Sequence, residues 1–463
     1  MYCDSLVAFD ASGTYIGEVA ETWSLGDDGK TWTFNIRKGM KFHNGDPVTA
    51  HDVLFTMERF TSEESKNPWS TGLRDAKESM RVVDDYTFEY VSKNPEPPMI
   101  DSFCWVRIIP KNYFESVGVD GYRLNPMGSG PWKFVEHIPE TSFTVEANTD
   151  YWRKEHIPEY KYVVILQVPE ESTQVAMLKR GEIDIPTGLT TDKRVQLERA
   201  GWQTRVQGLA LPTMLAIIGS QYPEAGAVHD IRIRKALSYA INRDELCATY
   251  WQGTAQPGGR FFLMPGGYGA TDDLLAPDPY DPALAMSLMA EAGYPDAWDD
   301  PTIIISTTAG PTLDMLQAMQ GYWNKVGLQT KIEVVEMSVW LSYVFIGPGA
   351  QADNPAIGII WSWAGAAFNG TYYCRNMYTS YGIHSVTVNA AVDAIFDKYI
   401  VERDPVKAKE YYIEWQRAAK ALYTSFGVAY VESIVVVSNN IGEFTVNPHM
   451  FITDALCGIK HPK

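Results

Sequence analysis

The residues best suited to catalysis stand apart from one another in this sequence. The eight histidines are scattered singly, with no HExxH and no pair at metal-ligand spacing, so a zinc site has no local signature. A lone histidine such as His43 or His137 is more often structural than a ligand or a base. Gly128-Ser129-Gly130 lacks the third glycine of a dinucleotide fingerprint, and Pro131 blocks a helix opening there. Neither a GxxxxGK[ST] loop nor a GxSxG elbow occurs. The paired carboxylates of a glycosidase stay open, because tertiary structure sets their separation, but nothing singles out such a pair. The five cysteines (Cys3, Cys104, Cys247, Cys374, Cys457) form no CxxC; their odd number excludes full internal pairing and allows one or two disulfides.

The chemistry the chain does offer is that of a binding surface. It holds 14 Trp, 26 Tyr and 18 Phe, most of which core packing accounts for. The cluster Trp361, Trp363, Phe368, Tyr372, Tyr373 is different in kind, because it follows the apolar run 357–360 and is interleaved with Gly365, Asn369 and Gly370. A strand that runs into an aromatic, glycine-containing loop suits a ligand wall in an α/β protein, with core packing as the competing reading. The candidate binding residues are therefore Trp361, Trp363, Ala366, Phe368 and Asn369. Met337 and Trp340, after a strand at 328–335, and Arg260, in Gly258-Gly259-Arg260, complete the set. For Met337 and Trp340 core packing is the stronger competitor.

Composition removes several other classes. At 463 residues, two or three domains are expected, and 45% hydrophobic with 21% charged residues is the balance of a globular chain. No run approaches the roughly 20 apolar residues of a membrane span. A formal charge of −18, with no long basic run among 39 Lys and Arg, argues against nucleic acid and against an anionic membrane surface. Met1-Tyr2-Cys3-Asp4 has neither the basic nor the apolar region of a signal peptide.

The elements that must position these residues change character along the chain. Asp28-Gly29 between 22–24 and the alternating run 31–37 predicts a hairpin, and a second strand pair straddles Asp84-Asp85. Thr49 with Asp52 predicts a capping-box helix whose apolar face is Val53, Leu54, Met57 and Phe60. From about 128 strands alternate with helices. A strand is expected at 161–168, a helix at 171–180 closed by Gly181, a short strand at 182–185 and a helix at 231–250 broken near 242–244. Asp281, Pro282 and Gly293 punctuate a helix at 283–292. Strand 302–306, helix 313–326 and strand 328–335 follow, then helices over 391–423 broken at Asp404-Pro405, and a strand at 428–437. The class is α/β, and no flexible linker separates its parts.

At this point a family pattern emerges. The chain resembles the family 5 extracellular solute-binding proteins of ABC transporters, whose members take peptides, nickel, opines or oligosaccharides. The resemblance begins at Asp4-Ser5-Leu6-Val7 and Val19-Ala20-Glu21-Thr22-Trp23, and is strongest in DDGKTWTFNIRKGMKFHNGDPVTAHDVLFTMERF (27–60). It recurs at MGSGPWKF (127–134), NTDYWR (148–153), LKRGEIDI (178–185), IRIRKALSYAINRDEL (231–246), YDPALAMSLMAEAGYP (280–295) and WNKVGLQTKIEV (323–334), in the family's order.

The resemblance implies a bilobal periplasmic-binding-protein-like fold of type II, large, with an extra β-rich subdomain at 1–127. The first lobe would be 128–207 plus 436–463 and the second 208–435, with crossings near 206–211 and 433–437. It implies a non-enzymatic protein without cofactor or metal, most simply a monomer, that traps a small organic ligand between hinged lobes and hands it to permease subunits in the membrane. It also implies a periplasmic or cell-surface location, with a lipoprotein anchor as one option, and a first strand that precedes Met1 in relatives, leaving a sheet edge unpaired here. Peptide-binding relatives pair the ligand's amino group with an Asp after a Trp in the late aromatic loop; here that position is Ala366, and 361–373 holds no Asp or Glu. The Arg that holds a dipeptide carboxylate in relatives has no counterpart, since 302–324 holds no Lys or Arg. Burying an unpartnered charge is expensive, so a free dipeptide is disfavoured. A longer or blocked peptide, an opine, an oligosaccharide or a nickel chelate is left, and a secreted hydrolase with an aromatic cleft is the alternative class.

Overall fold

Asp28-Gly29 closes the expected hairpin. Asp28 accepts the Lys30 and Thr31 amides and the Thr31 hydroxyl, and Gly29 takes a φ of 68° that other residues resist. Strands Ala20–Leu25 and Thr31–Ile36 then pair antiparallel, with Trp23 opposite Phe34. Thr87–Ser92 joins the second of them and Lys77–Asp84 the outer side, making a four-stranded sheet. Alternation puts Trp32, Phe34, Phe88 and Tyr90 on the buried face, where Phe103 meets Phe34 at 4.8 Å and Tyr90 edge-on at 5.3 Å. Helix Ala50–Phe60 covers this core with Val53 and Met57 buried, and its first turn is tied by the Thr49 amide and hydroxyl donating to Asp52.

This computed structural model describes residues 1–463 apart from 11–13, 66, 68–69, 219, 260–262, 264, 295–302, 308–310, 345–356, 363–370, 383–384, 444–455 and 463. The chain divides into two compact units, Met1–Gln207 with Ile434–Lys463, and Gly208–Ser433. The boundaries fall inside the strands Gln203–Ile218 and Ser425–Val437, so each is crossed by continuous strand.

In the first unit the glycines of Gly128-Ser129-Gly130 are explained by packing. A Cβ on Gly128 would lie 2.2 Å from the Tyr2 carbonyl oxygen, and one on Gly130 would lie 2.6 Å from that of Met1. The N-terminal segment therefore runs directly against this backbone. Asp4, buried beside it, accepts the Ser129 hydroxyl at 2.9 Å, the Tyr151 hydroxyl at 2.7 Å and the Trp152 indole N–H at 3.2 Å. The strand expected at 161–168 forms as Tyr162–Leu166, joined by Trp132–Ile138 and Ser142–Ala147, which were not expected, into a three-stranded sheet. The helix Glu171–Arg180, ended by left-handed Gly181, follows as expected. The strand expected at 182–185 does not form. Asp184 instead accepts the Ser438 amide at 2.8 Å and the Asn440 side-chain amide at 3.1 Å, so this segment anchors the returning chain and has no ladder partner.

The second unit is built on a six-stranded mixed sheet in the order Ala255–Pro257, Ser425–Val437, Gln203–Ile218, Ile357–Ser362, Ile303–Thr307, Thr330–Val334. Helix Pro282–Glu291 starts where its punctuation says: Asp281 accepts the Leu284 amide at 2.8 Å and Gly293 has φ 101°. Ile231–Tyr239 and Arg243–Thr249 are separate helices, the second capped by Asn242. Two buried arginines bind carbonyls here. Arg243 donates to Gly427, Ser238 and Asp278 carbonyls and the Ser238 hydroxyl, and Arg234 donates to Leu422, Ser220, Val228 and His229 carbonyls. Cys3, Cys104, Cys247 and Cys374 are buried and joined in no disulfide, so the disulfides the sequence allowed are not made by these four.

Candidate functional site

Three strands of the second unit run in one direction. Ile303–Thr307 pairs in parallel with Thr330–Val334, from Ile303↔Thr330 to Thr307↔Val334, and with Ile357–Ser362, from Ile304↔Ile357 to Ser306↔Ile359. Their compositions, IIIST, TKIEV and IGIIWS, are rich in the β-branched residues that fit strands. Parallel strands end at the same sheet edge. At that edge the strands end at Thr307, Val334 and Ser362, and helix Met337–Val344 follows the second of them. In open α/β sheets the carboxyl edge is where ligands bind, because the connections there are free to vary while the strands hold them in place.

Strand Gln203–Ile218 enters antiparallel beside Ile357–Ser362, with Thr213 opposite Ser362 and Met214 opposite Trp361. Ile357–Ser362 thus lies between an antiparallel and a parallel neighbour, a change of direction within the sheet. Helix Thr371–Tyr378 comes next among the described residues, fixed by buried Cys374, Met377 and Tyr378.

The structure brings Trp361, Met337 and Trp340 to this one edge. Met337 is 55% exposed, which overturns core packing for that residue, and Trp340 is half-buried three positions later on the same helix. Trp361 is placed by its backbone register alone. Trp363, Ala366, Phe368 and Asn369 lie outside the described residues, as does Arg260. Arg375, one turn into the following helix, is half-buried, with its guanidinium carbon 5.8 Å from the Tyr381 ring. Helix Met337–Val344 itself is not evident from the sequence, because MSVWLSYV carries no acid in its first turn or base in its last and mixes β-branched with aromatic residues.

Among the described residues no group of three His, Cys, Asp or Glu is placed to hold a metal, and no helix is long and apolar enough to cross a membrane. His43 is structural: its Nε2 lies 3.0 Å from the Gly130 carbonyl oxygen, and burial, with the Lys133 charge adding to it, pushes its pKa down to about 4.

This α/β arrangement is the periplasmic-binding-protein fold. The chain belongs to the bacterial extracellular solute-binding proteins, family 5, whose pattern (described as family 5 Middle) matches residues 14–385. The dipeptide-binding protein of Escherichia coli (strain K12) is 26% identical over 367 residues, which cover 73% of this chain and 66% of that protein. Di/tripeptide-binding protein 1 of Pseudomonas aeruginosa (strain UCBPP-PA14) is 24% identical over 480 residues, 96% of this chain and 86% of that one. Among solved structures, the periplasmic binding protein DppA from Helicobacter pylori in complex with peptide STSA superposes with a TM-score of 0.84 at 22% identity, covering all of this chain and 92% of the other. The similar proteins are binding proteins and not enzymes, and the hydrolase alternative falls with that finding.

Proposed function

We propose that this chain is the extracytoplasmic solute-binding component of an ABC importer, working as a monomer at the periplasm or cell surface and delivering a peptide-like solute to permease subunits. The observation that carries the reading is the shared carboxyl edge of three parallel strands, which bears the strand end at Trp361 and the start of helix Met337–Val344. The peptide class is supported by the relatives named for dipeptides and di/tripeptides and by the neighbour holding peptide STSA. The lack of an acid in 361–373 and of a base in 302–324 favours a longer or end-blocked peptide over a free dipeptide. An opine is the second reading, favoured by the likeness (TM-score 0.82, 20% identity) to the PBP AgaA in complex with agropinic acid from A.tumefacien R10.

Incubation of the whole chain with a defined peptide mixture, followed by denaturing mass spectrometry of what the washed protein retains, tests this. Recovery of an intact peptide is the expected result. Shortened peptides in the supernatant, or no retained solute from peptide and opine mixtures alike, would refute it.

A further inference from the structure

The first unit contains a groove of about 970 Å³ that the solute-binding reading does not use. Its walls come from the turn after strand Thr31–Ile36, the turn at Asp84–Thr87, the start of strand Trp132–Ile138 and the segment around Trp152. Gly39, at φ 80°, makes the corner of the first turn, on which Lys38 and Lys41 stand exposed. Lys133 and Lys154 reach the same groove from the other walls. None of these four ammonium groups is ion-paired among the described residues; Lys38 only approaches the Tyr86 ring, at 5.5 Å.

Three carboxylates share the lining, and two are already engaged. Glu21 faces Arg37 at 3.4 Å. Asp84 accepts the Tyr86 amide and the Thr87 hydroxyl, which hold it below the usual carboxylate range, with a smaller contribution from Lys38. Asp150 stands exposed. Counting Arg37 with the four lysines, five cations against three anions give the groove a local charge of +2, in a chain whose total is −18. Acidic chains ordinarily disperse their lysines among carboxylates, and four unpaired lysines around one concavity repel one another until an anion enters. The volume is that of a small-molecule site. Ammonium groups on flexible stems suit phosphate oxygens as point charges, without the bidentate geometry a single carboxylate draws from arginine.

We propose that this groove is an anion site for a small molecule bearing clustered phosphate groups, held by Lys38, Lys41, Lys133 and Lys154. The same phosphate chemistry is presented by a soluble polyphosphate and by an anionic lipid headgroup. Inorganic pyrophosphate and triphosphate are titrated calorimetrically into the whole chain at low salt, and co-sedimentation with phosphatidylglycerol vesicles is measured in parallel. Both are repeated on the variant carrying Lys38→Gln, Lys41→Gln, Lys133→Gln and Lys154→Gln, and on Lys133→Gln/Lys154→Gln should the fourfold variant not melt cooperatively. Saturable pyrophosphate or triphosphate binding that weakens with salt and falls about tenfold or more in the variant supports the site with a soluble occupant. Vesicle binding lost in the variant, without soluble-phosphate binding, supports it with a lipid headgroup. Absence of both, or binding that the variants leave unchanged, overturns it.

Discussion

The Asp4 carboxylate accepts the Ser129 hydroxyl at 2.9 Å, joining residues 125 positions apart. Tyr151 and Trp152 donate to the same carboxylate, so the N-terminal segment, the Gly-Ser-Gly turn and the Tyr-Trp pair converge on one buried group. Burial, and then the neighbouring Glu18 carboxylate, pushes the Asp4 pKa up to about 6, while the three donors act against that shift. A carboxyl group whose folded pKa is raised favours the folded state below its unfolded value near 3.8 and loses that contribution as pH rises through 6. Relative to wild type, Asp4→Asn is therefore expected to gain roughly 2–3 kcal/mol between pH 4 and pH 7. Urea unfolding of both proteins across that range measures it, and a difference that does not change with pH would remove Asp4 from this role.

Gly128 is tight for a different reason. The atoms a Cβ would meet are the Tyr2 carbonyl oxygen at 2.2 Å and the Cys3 sulfur at 2.5 Å, and backbone cannot swing aside as a side-chain tip can. Gly128→Ala is expected to destabilise by about 1–3 kcal/mol and to speed amide exchange in the first few residues. Exchange mass spectrometry that finds those amides as protected as in wild type would contradict this contact.

Arg243 places its guanidinium against three carbonyl oxygens and one hydroxyl while only 3% exposed. Its charge is stabilised by dipoles, with Asp278 contributing most among the neighbouring charges. Lysine has one nitrogen and no fork, so Arg243→Lys leaves acceptors unsatisfied and is expected to cost about 2–4 kcal/mol. Chemical denaturation reads this directly, and a loss under about 0.5 kcal/mol, within the range of neutral surface changes, would contradict it.

Three of the described thiols are poor nucleophiles, and the fourth, Cys374, is fully buried. Burial pushes Cys3 up to about 11 and Cys247 up to about 12, and it raises Cys104 well above the ordinary thiol. Native protein treated with a thiol reagent near neutral pH is expected to leave Cys3, Cys104, Cys247 and Cys374 unlabelled until denaturant is added. Rapid native labelling of any of them, located by peptide mapping, would show that burial does not protect it.

Local punctuation was the most legible layer of the sequence. Asp281-Pro282 and Gly293 mark the real ends of a helix, and Asp28-Gly29 a real hairpin, because caps and tight turns are decided by neighbours in the chain. Residues 182–185 read as a strand yet form none, since Asp184 is claimed by Ser438, 254 positions away. The glycines at 128 and 130 looked like a failed nucleotide motif, and their reason, the backbone of residues 1–3 alongside, is tertiary. The apolar run at 357–360 is legible as a strand, and the sheet places it between Gln203–Ile218 and Ile303–Thr307. The lysine groove was invisible, because residues 38, 41, 133 and 154 come together only through folding.

Thermal melting of the whole chain against free, acetylated and amidated peptides of increasing length, with agropinic acid beside them, tests the central claim most directly. A ligand bound only by the folded state raises the midpoint, by about 2.7 kcal/mol of stability at a hundredfold excess over its dissociation constant. A saturable rise is expected with a longer or end-blocked peptide, diminished in Trp363→Ala while that variant still melts cooperatively. No shift with any peptide or opine, or a shift that Trp363→Ala leaves intact, would contradict it.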